Sequence, residues 1–130
     1  MNPTVTIGIP VYNAEKTLKP CLKSIIEQSY DLKKMEIIVV DNFSKDNSVK
    51  IAESLLSSSG ISYTILMHKG PLGLIRQIIV NRARGKYIVW VDADAVINRD
   101  FVKKQVEFAE SAKDSKLGAV LPIILPHNVE

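Results

Sequence analysis

Cysteine is almost missing from this chain. Cys21 stands alone, so no internal disulfide can form, which agrees with a reducing compartment. Long apolar runs are missing too, and none approaches the roughly 18 residues a bilayer-spanning helix needs. The opening Met-Asn-Pro-Thr-Val-Thr lacks the basic-then-apolar layout of a secretory leader. A cytoplasmic protein is expected. Aromatic residues make up 6% and are not interleaved with the basic ones, which are spread along the chain to a net charge of +3. Nucleic-acid binding normally gathers lysine and arginine into a patch, so that partner is not expected. Small anions, or an anionic membrane surface, suit such a mild excess. His68 and His127 lie too far apart in sequence to suggest a metal centre, and no Ser-His-Asp arrangement stands out. No Gly-Lys-Ser/Thr follows the glycines at 70 and 73, and no Gly-x-Gly-x-x-Gly follows the first strand, so neither common phosphate-loop signature is present.

What the chain does have is a length of 130 residues, 46% hydrophobic and 24% charged, suited to one domain with one core. Its short β-branched runs read as strands at 5–11, 35–40, 61–67, 87–91 and 117–125. Between them, apolar residues recur at helical spacing. One helix carries Pro20 in its first turn and fades by Ser29, and a second runs over 47–58. A third follows the 70–73 loop, with Leu74, Ile75, Ile78 and Ile79 inward. A fourth is capped by Asn98 or Asp100. Residues 126–130 read as a tail. Strands alternating with helices imply an α/β fold, a mostly parallel twisted sheet with helices on both faces. Ligands bind such sheets outside the carboxyl ends of the strands.

Those ends are polar. Tyr12-Asn13 follows the first strand, Asp41-Asn42 the second, and Asp92-Ala93-Asp94 the run Tyr-Ile-Val-Trp-Val at 87–91. Two acids at the tip of a buried strand cost free energy unless a cation or donors meet them. While the chain stays extended, carboxylates at i and i+2 point the same way, and hard ions such as Mg²⁺ and Mn²⁺ favour carboxylate oxygen completed by water and phosphate. An isolated Asp-x-Asp is more often a turn cap plus a solvated acid; its place among other polar strand ends favours the ion. Asp41 is either an acceptor for a base or ribose, or a turn acceptor for the amides of Asn42 to Ser44. Arg76, one turn into its helix, either opposes phosphate charge or is a surface arginine paired with Asp92. Cys21 is expected to pack.

Four blocks in order carry a resemblance that covers nearly the whole chain. They are Thr-Ile-Gly-Ile-Pro-Val-Tyr-Asn at 6–13, Ile-Ile-Val-Val-Asp-Asn-Phe-Ser-Lys-Asp at 37–46, the Gly70 to Gln77 segment with Arg76, and Lys-Tyr-Ile-Val-Trp-Val-Asp-Ala-Asp at 86–94. Together they resemble the donor-binding half of the family-2 inverting glycosyltransferases, which have the GT-A fold. The resemblance implies that Pro10, Val11, Tyr12 and Asn13 line a nucleotide site and that Asp41 bonds the base or ribose. Arg76, Asp92 and Ala93 join the donor site, and Asp94, with Asp92, holds a divalent Mn²⁺ or Mg²⁺ on the diphosphate. The partners it implies are a nucleotide-diphosphate sugar and a saccharide or lipid-carrier acceptor. It also implies a truncated single domain, 1–130, whose acceptor-binding half and catalytic base lie beyond it, with peripheral membrane attachment through the missing part. The chain departs from the pattern at Ile75, Gln77, Phe43 (larger than usual there) and Ala95. These departures bear on sugar and base preference. The missing acceptor half and the atypical helix block around Arg76 keep a second reading open, a non-catalytic nucleotide-sugar-binding or assembly module with the same fold.

Overall fold

A computed structural model describes residues 2–112. Strands β1 (Val5–Val11), β2 (Met35–Asp41), β3 (Ser62–Met67) and β4 (Tyr87–Trp90) alternate with helices α1 (Leu18–Ile26), α2 (Ser48–Ser57), α3 (Leu72–Arg82) and α4 (Phe101–Ala112). All strand pairs are parallel, in the order β3-β2-β1-β4. The expected α/β sheet with helices on both faces is therefore what forms. The fifth strand expected at 117–125, the tail and His127 lie outside the described residues.

Alternation along the strands sorts the core into two layers. Val5, Ile7, Ile9 and Val11 of β1, with Met35, Ile37 and Val39 of β2, pack against Leu22 and Ile25 of α1, Leu56 of α2 and Val102 of α4. On the other face Ile38, Val40, Ile88 and Trp90 meet Ile75 and Ile79 of α3. Gly8 makes that second layer fit, because a β-carbon there would lie 2.8 Å from the Trp90 ring and 2.9 Å from Ile79 Cγ2. Leu74 differs from expectation: it is 42% exposed. The stripe α3 lays on the sheet is only wide enough for Ile75, Ile79 and part of Ile78. Leu74 turns back over the preceding loop, where it would meet a β-carbon on Gly70 at 2.7 Å.

Cys21 packs as expected, its thiol donating to the Asp92 carbonyl at 3.3 Å. The segment after β4 is fastened to α1 by Gln28, whose Nε2 donates to the Asn98 carbonyl while its Oε1 accepts from the Val102 amide. Asn98 Oδ1 accepts from the Asp100 amide as α4 begins, and Asp100 turns its carboxylate to the Ser29 hydroxyl. At the amino end of the sheet, Glu36 is buried at 4% exposure. It accepts from Thr6 Oγ1, from the Arg84 amide and from Arg84 Nε. Burial pushes its carboxyl up, but the hydrogen bonds from Thr6 and Arg84 and the guanidinium charge outweigh that, and the net direction is down.

Among the described residues, no helix is long and apolar enough to cross a membrane.

Candidate functional site

The strand order reverses at β1, with β2 on one side and β4 on the other. A sheet of this kind opens a crevice at that point, outside the carboxyl ends of the strands. Here the chain leaving β1 and the chain leaving β2 both enter left-handed backbone, at Asn13 (φ 48°) and Phe43 (φ 55°). Asparagine tolerates that region, whereas a bulky side chain is an outlier there and needs outside support. Hydrogen bonds between the two loops supply it. The Asn13 amide donates to Ser44 Oγ at 2.7 Å, and Asn13 Oδ1 accepts from the Lys45 amide at 2.8 Å. The Ala14 amide donates to Ser48 Oγ, and the Glu15 amide to Asp46 Oδ2. The Ser48 hydroxyl also donates to Asp46, which holds that carboxyl below its ordinary range.

Between these loops and the start of α3 lies a cleft. One part, of about 480 Å³, is lined by Tyr12, Asn42, Phe43, Lys45, Lys69, Gly70 and Pro71. A second, of about 250 Å³, is lined by Pro10, Val11, Tyr12, Asn42, Leu72 and Ile75. Tyr12 and Asn42 are common to both. These volumes lie around the lower end of the range for small-molecule sites. Of the expected donor residues, Pro10, Val11 and Tyr12 thus line the cleft, with Tyr12 58% exposed. Asn13 braces the loop through its side chain.

Asp41 is fully buried, and its two oxygens accept from the Ser44 amide and the Ser44 hydroxyl, both at 2.7 Å. This is the turn-acceptor alternative for that residue. The side chain at the cleft is instead Asn42. Its Nδ2 donates to the Gly70 carbonyl at 2.7 Å and its Oδ1 accepts from the Gly70 amide at 3.2 Å, tying the end of β2 to the loop that leads into α3. Strand parity carries the signal for this exchange: Asp41 continues the row of Ile37 and Val39, which faces α1 and α2, so the next residue is turned the other way.

The acids after β4 also sit differently from the extended arrangement expected. The Ala95 amide donates to the Asp92 carbonyl at 3.0 Å, so the chain turns at 92–95 and the alternation of an extended strand does not fix where the two carboxylates point. Asp92 is half-buried and Asp94 exposed, while Ala93 packs against the core. Arg76 places its guanidinium over the Trp90 ring, 5.7 Å from the centroid, at the same end of the sheet. Among the described residues, no group of three or more His, Cys, Asp or Glu is placed to hold an ion. Among the described residues, a cage made by protein alone is not present. Asp92 and Asp94 offer carboxylate oxygen only, the donor type that suits an Mg²⁺ or Mn²⁺ completed by water and phosphate oxygens.

Comparison with known proteins agrees with this architecture. GlyA, a glycosyltransferase of Streptococcus pneumoniae serotype 4, is 36% identical over 108 residues, covering 80% of this chain and 15% of that protein. EpsH of Bacillus subtilis, a putative glycosyltransferase, is 31% identical over 112 residues, covering 86% and 32%. Among solved structures, Staphylococcus aureus TarS 1–349 in complex with UDP-GlcNAc superposes with a TM-score of 0.76 at 26% identity, covering 83% of this chain and 31% of that one. A mannosyltransferase from Pyrobaculum calidifontis in complex with GDP-Man and Mn²⁺ gives 0.74 at 27%, covering 82% and 32%. The chain spans less than a third of the length of each of these proteins. The Glycosyl transferase family 2 model matches residues 6–125, which include every strand end that builds the cleft, and the chain belongs to that family.

Proposed function

We propose that this chain is the donor-binding part of a glycosyltransferase that takes a nucleotide-diphosphate sugar. The observation that carries the reading is the cleft at the strand-order reversal, with Pro10, Val11, Tyr12 and Asn42 on its walls. The nucleoside lies there, against the β1 end and the Asn42–Gly70 tie. The diphosphate extends toward Arg76 and the 92–95 turn, where Asp92 and Asp94 would hold a divalent ion. Such an ion would supply Lewis-acid stabilisation for the departing nucleoside diphosphate. Arg76, kept in place by its seat on Trp90, adds positive charge on the same side. The acceptor hydroxyl attacks the anomeric carbon opposite the leaving group, with inversion. Acceptor binding, as a saccharide or lipid carrier at the cytoplasmic face of a membrane, and the base that takes the hydroxyl proton are left to residues beyond this set. Two relatives support the donor class, TarS with UDP-GlcNAc and the mannosyltransferase with GDP-Man and Mn²⁺.

Calorimetric titration with UDP-, GDP- and dTDP-sugars, with and without Mn²⁺, tests the proposal. Binding that needs Mn²⁺ and disappears in Asp94→Ala is expected. Unchanged binding in that variant moves the ion elsewhere, and no binding of any nucleotide by the unaltered chain removes the reading.

A further inference from the structure

Phe43 combines three properties that folding alone does not call for. Its backbone is left-handed, at φ 55°. Its side chain is 53% exposed rather than packed. That side chain borders the same 480 Å³ part of the cleft as Tyr12, itself an exposed aromatic. A glycine at position 43 would relieve the backbone and remove an apolar surface from water. The chain instead spends hydrogen bonds on holding the ring out. The Asp41 carboxylate grips the Ser44 amide and hydroxyl on the far side of Phe43, and Ser44 in turn accepts from the Asn13 amide. The ring therefore stands at the tip of a turn fixed on both sides, at the rim of a site whose other walls are Tyr12, Asn42 and the lysines Lys45 and Lys69. Strained backbone that presents an exposed group to a cleft is the pattern of a ligand clamp.

We infer that Phe43 is a base-stacking residue, an aromatic face that acts with Tyr12 on the nucleobase of the donor and fixes how deeply the nucleoside enters the cleft. This rests on the nucleotide-sugar reading above and adds to it the residue that recognises the flat, apolar part of the ligand. Every base has a π-face, so the contribution is sequence-tolerant and extends to pyrimidine and purine donors alike.

The test is titration of UDP and GDP, each with Mn²⁺, into the 130-residue chain and into Phe43→Gly, Phe43→Leu and Phe43→Tyr, with a thermal melt of each. Phe43→Gly and Phe43→Leu are expected to weaken both nucleotides by about tenfold, as loss of one base–aromatic contact does, and Phe43→Tyr to stay within about twofold. Phe43→Gly is expected to melt at or above the temperature of the unaltered chain, because its backbone strain is gone. Opposed changes in binding and stability are something a structural role would not produce. If the unaltered chain binds and Phe43→Leu binds equally well, stacking is overturned while the nucleotide reading stands. If the unaltered chain binds neither nucleotide, both fall together.

Discussion

Arg84 holds Glu36 by two separate bonds, its backbone amide reaching Oε2 at 2.6 Å and its Nε reaching Oε1 at 3.1 Å. Thr6 Oγ1 donates to the same Oε2 at 2.6 Å and accepts from the Gly85 amide, so the start of β1, the start of β2 and the entry to β4 meet around one carboxylate. The guanidinium side of this pair is half exposed, and screening there reduces its ionic share. The charge-assisted bonds to the buried carboxylate dominate.

Glu36→Gln should therefore lower stability by about 1–2 kcal/mol. The pH dependence follows from the depressed carboxyl. The stabilisation is complete above the ordinary glutamate range and is lost as pH falls through the lower, folded-state value. Melting temperature followed from neutral pH into acid should fall less steeply in Glu36→Gln than in the unaltered chain. Parallel slopes would mean that Glu36 is not the titrating group.

Gly8→Ala places a methyl group 2.8 Å from the Trp90 ring and 2.9 Å from Ile79. Both neighbours are buried, so neither can swing aside. Overpacking of this kind costs about 1–3 kcal/mol. A shift of the urea midpoint to lower concentration, with unchanged slope, is the expected result.

Asn42→Asp keeps the shape but replaces the donor to the Gly70 carbonyl with an acceptor. The tie across the cleft should open, stability should fall by about 1 kcal/mol, and UDP affinity should fall with it. Unaltered affinity would place the nucleoside away from this tie.

Arg76→Ala should weaken UDP about tenfold while leaving uridine unchanged, since an ionic contact to phosphate is worth about that much. Equal losses for both ligands would assign Arg76 to the fold through Trp90 rather than to the diphosphate.

Much of this arrangement was readable from residue order. The strands end where β-branched runs give way to polar residues, and those ends converge because a parallel sheet leaves them no alternative. Two features of the site were harder to read. The sequence points to Asp41 because an acid is conspicuous, but the strand's own alternation turns it inward onto Ser44 and leaves the quieter Asn42 at the cleft. The Asp92–Asp94 pair suggests an extended chain because the residues before it are β-branched, whereas strand pairing ends with the Val91 amide on the Gly8 carbonyl and a turn takes over at 92–95. Glu36 was equally hidden. Its partners Thr6 and Arg84 lie 30 and 48 residues away in sequence.

Trp90 is the chain's single tryptophan, 9% exposed, with the Arg76 guanidinium above its ring and Gly8 beneath. Any ligand that draws Arg76 toward a phosphate changes the charge above that indole. On the proposed diphosphate position, ligand entry should carry its own optical signal, a change in intrinsic emission that needs no label and that Arg76→Ala would silence while leaving the fluorophore in place.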